Sequence, residues 1–214
     1  MPITHVVQQG ECFSKIAKRY SFLDYKKVYE HPDNADLRKK RPNPNLLFPG
    51  DKIVIPDPAP KTASISHGRF HRFTLKVPKH YVRLSLKDDA GEALAGKPYT
   101  LILDDREERQ GSTDGEGFLE EEIPLHVGKV ELECEDQTWE LDLGSLNPLE
   151  EVPDEGISGA EARLVNLGYA LEPTGQMTVE LRSAIRAFQQ LNQLELTGRL
   201  DAQTIQKLKE QHGS

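Results

Sequence analysis

The chain has 214 residues, 36% of them apolar and 29% charged, with a formal net charge of −8. That length accommodates about three small cores of roughly 50 to 90 residues, and no apolar run approaches the ~20 residues a membrane-crossing helix needs. Charge is uneven: residues 1–58 carry ten Lys/Arg against seven Asp/Glu, residues 67–150 ten against nineteen, and residues 151–214 six against nine, and the acidic middle argues against a nucleic-acid-binding protein, which needs a basic face.

Gln8, Gln9, Glu11 and Lys15 break up the N-terminal segment, so no classical secretory leader is expected and the protein is read as made in the cytoplasm. Work at the envelope, in the periplasm or in an injection particle then requires another carrier. Cys12 and Cys134 fall in separate predicted domains and are read as free thiols of a reducing compartment, without zinc-site spacing.

The first element is a short strand at His5–Val7, which enters a Gly-polar turn and a helix with Phe13, Ile16, Ala17 and Tyr20 on one face. A second short helix carries Tyr25, Val28 and Tyr29. Pro49-Gly50-Asp51 then turns the chain into a return strand at Lys52–Ile55, which Pro56 stops. The opening Val7-Gln8-Gln9-Gly10-Glu11 and the closing Leu46-Leu47-Phe48-Pro49-Gly50-Asp51-Lys52-Ile53-Val54-Ile55-Pro56 resemble the LysM domain, a small βααβ glycan-binding module. The resemblance implies a shallow groove for N-acetylglucosamine-containing glycan, with Gly10, Glu11, Cys12 and Phe13 on one side and Leu46, Leu47, Phe48, Pro49 and Gly50 on the other. Phe13 and Leu47 have a plainer reading as core. The segment from His31 to Pro44 is a Pro-bounded insertion with four consecutive cations, Arg38, Lys39, Lys40 and Arg41. It reads as solvated surface, or as a contact for the carboxylates of wall stem peptides or of an acidic partner.

Residues 56–64 are Pro-rich and read as a semi-stiff spacer. Alternating patterns then predict strands at Phe73–Val77, Val82–Leu86, Tyr99–Leu103, Phe118–Ile123, Val130–Cys134 and Trp139–Leu143, so an antiparallel sandwich is expected. The stretches from Asp88 to Tyr99 and from Gly111 to Phe118 resemble transthyretin-like or carboxypeptidase-regulatory-like sandwiches, which generally serve as scaffolds. Asp114 and Gly117 are read as a tight turn. Glu120, Glu121 and Glu122 lie on one predicted strand, so neighbours point to opposite faces and do not converge on a metal. His67 and His71 lie in linker and strand, where a four-residue spacing does not pair them.

The last unit returns to helical periodicity. Ser158 is expected to cap a helix ending at Leu167 and Gly168, Thr178 a second with Leu181, Ile185, Phe188 and Leu191 on one stripe, and Asp201 a third with Ile205 and Leu208 inward. Leu167-Gly168-Tyr169, Ala184-Ile185-Arg186-Ala187-Phe188-Gln189 and Thr197-Gly198-Arg199-Leu200-Asp201 are similar to the three-helix peptidoglycan-binding domain found beside many wall hydrolases. Tyr169, Gln189 and Arg199 are its candidate exposed contacts.

The expected fold class is multi-domain α+β: a LysM unit (1–57), a Pro-rich linker (58–67), a sandwich of about seven strands (68–147), a second linker (148–157) and a three-helix orthogonal bundle (158–212). No nucleophile or metalloprotease motif is present, and the three resemblances imply no catalytic residues, cofactor or metal. They imply a non-catalytic cell-wall binder whose two recognition modules act through avidity. The alternative is a structural adaptor or cargo of a contractile injection machine, of type VI secretion or phage-tail type. It would bind secretion-spike or tail proteins, since the long-insert LysM ending looks like copies found with such particles.

Overall fold

The computed structural model describes all residues except 1, 59–61, 73, 75–79, 89, 105, 145 and 214. Contacts gather the chain into two compact units, one of residues 1–3, 13–31 and 54–144 and the other of residues 4–12, 32–53 and 145–214. Strands β1 (Ile3–Val6) and β2 (Lys52–Ile55) pair with each other in a two-stranded sheet.

In the first unit, helix α1 (Phe13–Arg19) buries Phe13, Ile16 and Ala17, as its 3.6-residue spacing requires. Helix α2 (Lys26–Tyr29) buries Val28 and sets Tyr29 edge-on to Phe13, with ring centroids 4.9 Å apart. The rest of the unit consists of two antiparallel sheets. One pairs β3 (His80–Ser85) with β6 (Phe118–Ile123), and the other has the order β5 (Glu108–Ser112), β4 (Pro98–Leu103), β7 (Lys129–Cys134), β8 (Gln137–Asp142). Both sheets contribute to one core, with Val82, Leu119 and Ile123 from the first and Leu101, Leu103, Val130 and Leu132 from the second.

The expected strand at Phe73–Val77 lies outside the described residues apart from Thr74. Strand β5 was not expected, because Glu-Arg-Gln-Gly-Ser has no apolar alternation to signal it. Among the described residues it pairs with β4 alone, and Gly111 faces Tyr99 there. A Cβ on Gly111 would lie 2.4 Å from the Tyr99 hydroxyl, so the glycine leaves room for that ring. Burial, helped by the Glu121 carboxylate that accepts the Tyr99 hydroxyl at 2.8 Å, pushes that hydroxyl's pKa up to about 12. The turn at Asp114 is as read: Asp114 Oδ1 accepts the N–H groups of Glu116 and Phe118, and Gly117 sits at φ +76°. A Cβ on Gly117 would come within 2.6 Å of the Leu86 carbonyl.

In the second unit, residues 32–53 are more ordered than a solvated insertion. One 3-10 turn (Pro32–Asn34) leads into helix α3 (Ala35–Lys40), a run of good helix formers held between Pro32 and Pro42. Helices α4 (Ile157–Asn166), α5 (Val179–Leu191) and α6 (Ala202–His212) share a core of Leu149, Leu164, Leu181, Ile185, Phe188 and Leu208. Thr178 and Asp201 cap α5 and α6, accepting the N–H groups of Leu181 and Thr204.

Ser158 is not the α4 cap. The cap lies two residues earlier, at Gly156 with φ +81°, and the Asp154 carboxylate collects the N–H groups of Gly156 and Ser158. At the far end Gly168, at φ +90°, makes the stop, with the Tyr169 N–H bonded to the Leu164 carbonyl.

Candidate functional site

The three-helix part of the second unit is built on two matching turns. Thr174-Gly175-Gln176-Met177-Thr178 precedes α5, and Thr197-Gly198-Arg199-Leu200-Asp201 precedes α6. Each has its glycine in the left-handed region, at φ +69° and +64°, and each ends on a helix cap. Each is also gripped by a buried side chain from the preceding helix. Glu161 of α4 accepts the Gly175 N–H at 2.7 Å and the Thr174 N–H and hydroxyl at 3.0–3.1 Å. Gln189 of α5 accepts the Gly198 N–H at 2.9 Å and donates to the hydroxyls of Thr197 and Thr204, both at 2.8 Å.

Those two hydroxyls pass their hydrogens to Asp201. Burial pulls Asp201 upward, but the Thr204 N–H, both hydroxyls and the Gln203 N–H outweigh it and hold the carboxyl below its ordinary range.

Gln189 is therefore no exposed contact, as it is fully buried. The Phe-Gln signature residue holds the Thr-Gly turn instead. The other two candidates lie on the surface, in different grooves. Tyr169 lines a shallow one with Ala170, Val179, Glu180, Ser183 and Ala187. Its ring stands edge-on to Phe188, and burial raises its hydroxyl pKa above the ordinary value. Arg199 lines a second groove with Glu155, Ile157, Met177, Arg182 and Leu200.

The N-terminal candidates are brought together in part. The loops at 10–12 and 46–50 are joined through Val7, whose N–H donates to the Asp51 carbonyl and whose carbonyl accepts the Gly50 N–H, both at 2.9 Å. Three of the nine expected glycan contacts turn inward, however. Cys12, Phe13 and Leu47 are 5%, 0% and 4% exposed, so their side chains are core and present nothing to a sugar. The Glu11 carboxylate is already engaged by His5 at 2.7 Å and the Gln8 N–H at 2.9 Å. Gly10, Leu46, Phe48, Pro49 and Gly50 keep surface.

The cation run is divided as well. Lys39 and Lys40 are exposed and Arg38 half-buried, whereas Arg41 is only 2% exposed. Its guanidinium donates to Asp51 at 2.8 Å and to the carbonyls of Glu150 and Glu151 at 3.2 and 3.0 Å. It is a structural pin rather than a contact for a partner, because a buried guanidinium is held only where acceptors satisfy its donors. Burial pulls the Asp51 pKa up, but the hydrogen bonds from Arg41 and the Phe48 N–H, with the charges of Arg41 and Lys40, bring it below the ordinary carboxylate value.

Arg163 is buried too and donates to the carbonyls of Asn147 and Gly159 at 2.8 and 2.9 Å. Burial pushes its pKa down to about 10, and burial together with the Arg163 charge pushes His212 down to about 4.

Among the described residues no three His, Cys, Asp or Glu side chains gather as a metal site, and no helix is long and apolar enough to cross a membrane. Cys12 and Cys134 are free and buried.

Residues 153–208 match the family model described as "Putative peptidoglycan binding domain", which spans all of α4 and α5 and most of α6. The C-terminal resemblance to that family is thus supported by an independent comparison, and it supports peptidoglycan as a partner. No curated protein and no solved structure matches the chain.

Proposed function

We propose that this is a non-catalytic peptidoglycan-binding protein that acts at the bacterial envelope and meets the wall first through its C-terminal helices. The family match over residues 153–208 carries this reading. The groove in front of Tyr169 suits it physically. Small side chains at Ala170, Ser183 and Ala187 let a sugar ring approach the helix, and Tyr169 offers an aromatic face with a polar tip. The N-terminal surface at Gly10, Leu46, Phe48, Pro49 and Gly50 is a second, LysM-like contact for N-acetylglucosamine-containing glycan.

Co-sedimentation of the full chain with purified sacculi tests the proposal. Saturable retention is expected. Ala187→Arg, which fills the groove from an exposed helix position, should weaken retention about tenfold with little effect on melting. Retention no greater than that of an unrelated acidic protein would remove the reading, and wild-type retention by Ala187→Arg would move the contact away from this groove.

A further inference from the structure

The second unit also contains a pocket of about 230 Å³ whose lining includes four cations, Lys40, Arg41, Arg163 and Lys209, and one carboxylate, Glu150. Its remaining wall is largely apolar, with Pro42, Leu46 and Leu149 among the lining residues. The volume falls below the ~300–1,000 Å³ of sites for drug-sized ligands, so it suits one or two small residues rather than a sugar chain. Arg163 reaches it as a buried group fixed by the carbonyls of Asn147 and Gly159, a pre-organised rather than mobile charge, whereas the donors of Arg41 are taken by Asp51 and by the carbonyls of Lys40, Glu150 and Glu151. In such a setting a hydrogen bond between a cation and an anion is roughly twice as strong as a neutral one.

From this geometry we infer that the pocket binds the terminal carboxylate of a short peptide with small apolar side chains, the stem peptide of the wall polymer. The inference rests on the wall-binding proposal above. The carboxylate sits between Arg163 and Lys209, and the methyl groups lie against Leu46 and Leu149. Lys209 is paired with Glu150, so an incoming carboxylate competes with Glu150 for that ammonium. This competition gives the two residues opposite signs: loss of Lys209 weakens binding, and neutralisation of Glu150 strengthens it.

The test is calorimetric titration of the full chain with N-acetyl-D-alanyl-D-alanine, its C-terminal amide and the L,L isomer. The D,D acid should bind at least tenfold more tightly than its amide. Lys209→Gln should weaken the acid about tenfold and Glu150→Gln should tighten it several-fold, while Lys207→Gln, on the same helix outside the pocket, leaves it unchanged. Glu150 is exposed and Lys209 half-buried, so both pocket variants should melt like wild type.

Equal binding of acid and amide would overturn the inference. So would identical behaviour of the Lys209 and Lys207 variants, or binding of the L,L isomer alone, which would point to a protein tail. Retention by sacculi without any binding of the D,D acid would remove this inference and leave the wall proposal standing. Binding of the acid by a chain that sacculi do not retain would instead remove the wall proposal, while the pocket's carboxylate chemistry stood.

Discussion

Arg41 and Asp51 form a buried pair that also closes the backbone turn at Phe48, whose N–H bonds to Asp51 Oδ2 at 2.9 Å. Removing one member leaves the other uncompensated, at a cost of about 3–5 kcal/mol. Asp51→Asn is accordingly expected to lower the urea midpoint strongly at pH 7. Because the folded Asp51 pKa is depressed, its contribution is complete above the unfolded value near 3.8 and disappears as pH falls through the folded value. The gap between wild type and Asp51→Asn should therefore close in acid, and a gap that stayed constant down to pH 2 would contradict the assignment. The four-cation run was plain in the sequence, but the inward turn of Arg41 alone was not. That turn depends on carbonyl acceptors at 150 and 151, more than a hundred residues away. Gln189 was misread for a related reason. A polar residue next to Phe188 looks exposed until the Thr197 and Thr204 hydroxyls close over it.

At the scale of elements, the strongest sequence signals were periodic stripes and turn chemistry. Helix α5 and the Asp114 turn were placed as expected, as were the caps Thr178 and Asp201, although Leu191, read as part of the α5 stripe, is 77% exposed. Strand β5 and helix α3 carried neither. The first is a polar edge strand that draws its order from β4, and the second is a six-residue helix too short to show a stripe.

The start of α4 shows how close packing decides a glycine's role. Gly156 and Gly175 both lie at positive φ, but a Cβ at 156 would be 2.1 Å from the Leu149 carbonyl oxygen, whereas at 175 it meets nothing within 4 Å. Gly175→Ala should cost only the left-handed backbone penalty, roughly 1–2 kcal/mol. Gly156→Ala adds a backbone collision and should cost several times more. Thermal melting of the two variants side by side checks this, and equal losses would mean that the α4 entry is looser than it looks.

For the whole molecule, the sequence suggested two recognition modules, one at each end, joined by a sandwich spacer. In the structure, residues 32–53 belong to one compact unit with residues 145–214. The two stretches share the Arg41 bonds to 150 and 151, and Gln9, from residues 4–12 of the same unit, bonds to Asn147 at 3.2 Å. This coupling was invisible in the sequence, where local patterns describe each stretch by itself. Asp51→Asn should consequently speed amide hydrogen exchange not only around residue 48 but also in α4, near the carbonyls that Arg41 pins. Exchange changes confined to residues 32–53 would show that the two stretches open independently.

The Arg41 pin also sets a schedule during synthesis. Its acceptor carbonyl at residue 151 lies 110 residues further along the chain. At about 5–20 residues per second, the ribosome supplies that acceptor roughly 5–20 s after Arg41 itself has been joined. During that interval Arg41 can meet Asp51, already synthesised, but the carbonyls that complete its set of acceptors do not yet exist.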